Sequence, residues 1–150
     1  MRLVADTGGI LAAMNSAEPD HEAFRATLES AAMAVISPLV VAEVHYLLGS
    51  VRAHEAANDF LEDLAGGFYE LATIAPEDYT AAAELIRLYE GRMERKRRKP
   101  GSLDLADAMN IVLANRYATN MILATDQDYR MTTPLSGHHY FVILPKDTEA

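Results

Sequence analysis

Acids stand at four places along the sequence where chemistry could be done. Asp6, followed by Thr7, closes the apolar run Leu3-Val4-Ala5. Glu43 lies inside the apolar stretch from Leu39 to Leu48, where a carboxylate must be either exposed or paired. Asp104 and Asp107 open a helical segment three residues apart, and so share one face of it. The run from Met121 to Thr125 ends in Asp126-Gln127-Asp128. Each acid also has an ordinary reading: Asp6, Asp104 or Asp107 as a helix N-cap, Asp126 as a turn residue. Taken together, Asp6, Glu43, Asp107 and Asp126 favour one account. Four carboxylates gathered at one edge cannot stay ionised without a cation. All-oxygen ligation selects a hard ion, Mg²⁺ or Mn²⁺. Such a site suits phosphodiester hydrolysis, in which the ion stabilises developing charge and activates water. No cysteine and no cluster of histidines competes for zinc.

The elements that must position these acids alternate in type. Leu3 to Ala5, Ala34 to Ile36, Tyr69 to Ile74, Met121 to Thr125 and Tyr140 to Leu144 are apolar runs of strand length. Between them lie helical patterns. Pro19-Asp20 opens one that reaches to about Ala32, and a further helix spans Ala53 to Leu64. Ser37-Pro38 supplies an N-cap and a first-turn proline, with Gly49 as the stop. Pro76 opens a long helix whose stripe is Tyr79, Ala82, Ala83, Ile86, Tyr89 and Met93. Ser102 or Asp104 opens the next, which continues to about Tyr117. Strands separated by helices predict an α/β fold with a central, mostly parallel sheet of about five strands flanked by helices. In such sheets ligands bind beyond the carboxyl ends of the strands, where the acids fall. No repeat or linker divides the chain, so residues 1–150 read as a single domain.

Composition narrows the partners. The chain has 150 residues, 50% of them hydrophobic and 23% charged, which is globular and excludes wholesale disorder. No cysteine means no disulfide framework and no thiol nucleophile. Asp6 interrupts any signal-peptide core, and no stretch approaches a membrane span, so the expected location is the cytoplasm. The net charge is −9, which on average opposes nucleic-acid binding. The average misleads. Arg92, Arg95, Lys96, Arg97, Arg98 and Lys99 are six of the 13 bases, and only Glu94 opposes them; the rest of the chain holds 7 bases against 21 acids, or −14. The run reads either as a solvated helix end or as a clamp for RNA phosphates beside the helix that bears Asp107.

The stretches Val4-Ala5-Asp6-Thr7-Gly8-Gly9-Ile10-Leu11, Ser37-Pro38-Leu39-Val40-Val41-Ala42-Glu43-Val44, Leu103-Asp104-Leu105-Ala106-Asp107-Ala108-Met109 and Leu123-Ala124-Thr125-Asp126-Gln127-Asp128-Tyr129 resemble the PIN-domain nucleases. They are most similar to the VapC-type toxins of bacterial toxin–antitoxin pairs, in order, spacing and total length. The resemblance implies a PIN-like three-layer fold and a Mg²⁺- or Mn²⁺-dependent endoribonuclease, usually a homodimer, inhibited by a small antitoxin. Carried over, Asp6, Glu43, Asp107 and Asp126 match the four family acids. Thr7 and Thr125 match the hydroxyl positions beside them, and Asp104 and Asp128 are auxiliary. Gly8-Gly9 departs from the pattern, since relatives more often carry serine or a larger residue after the Asp-Thr pair.

Other readings stay open. A PIN-like domain could serve as a housekeeping nuclease or as a metal-binding interaction module without a toxin's role. A phosphoacceptor receiver domain also gathers acids at strand ends, but it expects an acidic pair after the first strand. His138-His139 reads as a surface pair, and no histidine is assigned a catalytic role. Phe24, Leu28, Leu47, Leu48, Phe60 and Leu64 read either as core or as a groove for an antitoxin segment plus a dimer face.

Overall fold

A computed structural model describes residues 1–90 and 103–148. The basic run from Arg92 to Lys99, Met93 of the long helix's stripe, and Ser102 lie outside these residues. The chain order is β1 (Arg2–Ala5), α1 (Thr7–Met14), α2 (His21–Ser30), β2 (Met33–Ile36), α3 (Pro38–Ser50), α4 (His54–Ala65), β3 (Glu70–Leu71), α5 (Pro76–Tyr89), α6 (Leu105–Arg116), β4 (Met121–Leu123) and β5 (Val142–Leu144). The five strands form one sheet in the order β3-β2-β1-β4-β5. Every pairing is parallel; Val4 lies opposite both Val35 and Ile122, and Ile122 opposite Ile143. No helix among the described residues is long and apolar enough to cross a membrane.

Alternation along the strands builds two cores. Val4, Val35, Ile122 and Ile143 point to one face, where α5 and α6 cover them. Leu3, Ala5, Ala34, Ile36, Leu123 and Leu144 point to the other, against α1 to α4. The result is three layers. Helix α6 is buried on nearly every side, with Asp107 to Ala114 all inside. Arg116 at its C-terminal end pairs with Asp78 and donates to the Thr73 carbonyl (2.7 Å), which ties α6 to the start of α5.

Several elements differ from their expected bounds. Helix α1 has no clear amphipathic pattern, because Thr7, Gly9, Ile10, Ala12 and Ala13 are all buried. The third strand shrinks to Glu70–Leu71, at the sheet edge. On α5 the buried stripe is Asp78, Ala82, Leu85 and Tyr89, and Tyr79 is exposed. Asp78 is accommodated there by Arg116, a partner outside its own helix. Tyr140 is exposed, and β5 begins two residues later.

The paired glycines have a packing cause. A Cβ on Gly9 would stand 2.3 Å from the Leu123 carbonyl oxygen, so α1 approaches β4 backbone to backbone. A Cβ on Gly8 would stand 2.2 Å from Thr125 Oγ1. Gly9→Ala should therefore destabilise the protein by about 1–3 kcal/mol. Gly49→Ala is the control: its Cβ would meet nothing within 4 Å, and alanine should stabilise α3. Thermal melts of both variants check the pair.

Candidate active site

The chain builds β1, β2 and β3 outward in one direction, then returns to place β4 and β5 on the other side of β1. The order reverses between β1 and β4, and a crevice at their carboxyl ends is where such sheets bind ligands. Asp6 ends β1 there. Its backbone N–H donates to the Leu123 carbonyl (3.0 Å), and its own carbonyl accepts from Ile10 to begin α1. The backbone at Asp6 is still extended, so the side chain continues the alternation of Val4 and turns towards α6.

Helix α6 delivers Asp107. Asp104 caps the helix, its Oδ1 accepting from the Asp107 N–H at 2.9 Å. Asp104 thus keeps its capping reading and is also close enough to raise the pKa of both Asp6 and Asp107. Asp126 follows β4 and acts on the same two carboxylates. Its Oδ1 accepts from the Asp128 N–H (2.8 Å), which shapes the turn into a short 3₁₀ segment, Asp128–Met131. Glu43, on α3, is exposed and acts on Asp6. Of the two hydroxyls, Thr125 is exposed and its Oγ1 occupies the space over Gly8. Thr7 is buried beside Asp6, and its Oγ1 has no hydrogen-bond partner.

Two residues that the sequence reading did not select complete the site. Asn110 and Tyr129 are 0% and 1% exposed. Asn110 Nδ2 donates to Asp6 Oδ1 at 3.0 Å and to the Tyr129 hydroxyl at 2.9 Å. The Tyr129 hydroxyl donates to Asp107 Oδ1 at 3.1 Å. Spacing held a signal for one of them, since Asn110 is three residues beyond Asp107 on the same helix face. Tyr129 gave none, because a buried tyrosine after a turn reads as core.

Burial is the largest cause of unusual protonation here. It raises Asp6 to about 6, helped by Asp104, Glu43 and Asp126 and opposed by a hydrogen bond from the Thr7 backbone. It raises Asp107 to about 8, helped by Asp6, Asp104 and Asp126 and opposed by the Tyr129 hydroxyl. Among the described residues, no base acts on either carboxylate to offset these shifts.

The donor set fits a hard divalent cation. It is all oxygen, it includes two buried carboxylates, of which Asp6 raises the cost of ionising Asp107, and it adds the unpartnered Thr7 hydroxyl. The acids line a common end rather than a closed cage: among the described residues no three acids or histidines already form a metal-holding group.

A family model for the PIN domain matches residues 3–133. The chain belongs to the PIN-domain family. This PIN domain is 36% identical, over 94% of its length and 99% of the relative's, to ribonuclease VapC26 of Mycobacterium tuberculosis. Solved structures share its fold. VapC20 of M. tuberculosis, a toxin that cleaves the sarcin–ricin loop, superposes with a TM-score of 0.66 at 17% identity, covering 84% of this chain and 91% of that one. VapBC2 of Rickettsia felis, crystallised on a DNA fragment from its promoter, gives 0.58 at 20% identity, covering 86% and 91%.

Proposed function

We propose that this PIN domain is an endoribonuclease that depends on Mg²⁺ or Mn²⁺, and the toxin of a toxin–antitoxin pair. The observation that carries the reading is the acidic end of β1 and β4, where buried Asp6 and Asp107 cannot both ionise at neutral pH without a cation. Asp6, Glu43, Asp107 and Asp126 would hold the ion, with Thr7, Thr125, Asp104 and Asp128 around them. When bound, the ion would stabilise charge on the phosphate and activate water. The chain's own groups do the remaining work. Asp104 fixes the first turn of α6 and so the height of Asp107. The Asp126–Asp128 turn sets where the exposed Asp126 enters the crevice. The whole of residues 1–150 would act as one nuclease unit.

An acidic crevice repels RNA, so compensating positive charge is needed nearby. Arg92, Arg95, Lys96, Arg97, Arg98 and Lys99 are assigned that role on their charge and their place in the sequence before α6. The antitoxin reading draws on the likeness to VapC26 and to VapBC2. A largely apolar groove of about 700 Å³ between α1, α3 and α4, lined by Leu11, Met14, Leu47 and Val51 among others, would receive an antitoxin segment. Phe24, Leu28, Leu48 and Phe60 are core, whereas Leu47 is exposed in that groove. A homodimer in the cytoplasm completes the proposal.

Purified protein incubated with RNA, with Mn²⁺ or with EDTA, tests it. Cleavage in Mn²⁺ alone is expected; equal cleavage in EDTA would remove the metal, and none under either condition would remove the nuclease. Glu43→Gln separates ligand from surface charge. Because Glu43 is exposed, the variant should melt within about 0.5 kcal/mol of the parent. Cleavage should fall by more than the roughly tenfold lost when even a supporting residue of a metal site is removed. Unchanged cleavage would return Glu43 to the surface.

A further inference from the structure

We propose that Asn110 and Tyr129 are positioning residues that couple Asp6 to Asp107 and set both carboxylates as acceptors for one divalent cation; this rests on the metal reading above. Asn110 sits in the middle of α6, where all neighbours from Ala108 to Ala114 are buried. An apolar residue would suit that place better, since asparagine is a poor helix former and its amide must be satisfied. Its partners explain it. One Nδ2 proton goes to Asp6 Oδ1 and the other to the Tyr129 hydroxyl, whose own proton goes to Asp107 Oδ1. Two of the three protons end on carboxylates, and the third ends on the hydroxyl that gives its own proton to Asp107. Turned over, the amide would set its oxygen against Asp6, so chemistry fixes its orientation. As placed, Asn110 Oδ1 is buried without a partner. The site therefore tolerates an unsatisfied carbonyl in order to present two donors. One oxygen of each carboxylate is engaged by the relay, which fixes the rotation of both acids and leaves lone pairs of each for an ion.

The relay joins residues 104 positions apart in sequence, so its geometry depends on the packing of α6 on β1. Tyr129 is held in turn by edge contact with Phe141, the ring centroids 6.1 Å apart. The hydroxyl is therefore presented by a fixed ring rather than by a mobile side chain.

Tyr129→Phe keeps the ring and removes only the hydroxyl; Asn110→Leu keeps the volume and suits the apolar helix should the first variant fold poorly. Mn²⁺ binding to the purified full chain is measured by titration calorimetry, with metal-free melts to establish that each variant is folded. Each variant should bind Mn²⁺ about tenfold to a hundredfold more weakly. The double variant should lose less than the product of the two, because both act through one network. In RNA cleavage, kcat should fall while KM for RNA holds. Mn²⁺ affinity equal to that of the parent in folded variants would overturn the proposal and leave the relay as packing. A parent protein that binds no Mn²⁺ would overturn it together with the metal reading. Mn²⁺ binding that weakens as expected, in a protein that does not cleave RNA, would sink the nuclease and leave the relay standing.

Discussion

Asp107→Asn is expected to give a protein that is more stable without metal and inactive with it. Asp107 is 9% exposed, and burial with the charges of Asp6 and Asp104 pushes it up to about 8. Asparagine has the same shape, and its carbonyl oxygen can still accept the Tyr129 hydroxyl that Asp107 Oδ1 accepts now. The variant removes a charge that folding must otherwise desolvate or neutralise. The gain at neutral pH should be on the order of 1–3 kcal/mol, or roughly 3–10 °C in melting temperature. Losing an ionic ligand should withdraw about 4 kcal/mol of transition-state stabilisation, close to a thousandfold in rate. Asp6→Asn should behave in the same sense, because its oxygen can keep the Asn110 hydrogen bond. Melts in EDTA and single-turnover cleavage in Mn²⁺ read the two effects separately. A variant that is less stable and fully active would place Asp107 in the core and outside the chemistry.

Metal-free protein should lose stability as the pH rises from about 4 to about 8, the reverse of ordinary acid denaturation. The sign follows from linkage. Asp6 and Asp107 titrate at about 6 and about 8 in the folded chain, against 3.8 for an unperturbed aspartate. Between those limits the folded state binds more protons than the unfolded state, so stability falls as they are withdrawn. Asp78 and Asp147 act in the opposite sense: their pairing with Arg116 and Arg130 holds them below the usual range, and their contribution is lost only as pH falls further. The fall across the window should be on the order of 3 kcal/mol, roughly 10 °C for a chain of this size. Mn²⁺ at pH 8 should restore it, since an ion at a hundred times its Kd stabilises by about 2.7 kcal/mol. Melts at pH 5 and pH 8, each in EDTA and in Mn²⁺, check both halves. A metal-free protein equally stable at the two pH values would mean that Asp6 and Asp107 are better solvated than the crevice implies.

The layout that brings the acids together was legible in the order of residues alone. Apolar runs of strand length separated by capped helices leave little choice but a parallel sheet, and a parallel sheet puts Asp6 and Asp126 at the same end. Ser37-Pro38 and Asp104 start their helices where local chemistry says they should, because a cap needs only its own next few residues. Tertiary structure decided what depends on distant partners. Helix α1 was not legible, since its sequence from Gly8 to Met14 is apolar or small on every side and has no polar face to set its period. The buried face of α5 keeps Ala82 and Tyr89 of the expected stripe but takes in Asp78 rather than Tyr79, because Arg116, 38 residues away, pairs with Asp78. Asp6 and Asn110 are 104 residues apart, and Tyr129 reaches Asp107 across 22. No local pattern encodes those hydrogen bonds. Whether an acid in an apolar stretch is paired or exposed is also a tertiary matter: Glu43 proves exposed and Asp107 buried, although both sit among apolar neighbours. Residue type and spacing named the carboxylates; only the packing of α6 against β1 could decide which of them are desolvated and which side chains hold them in place.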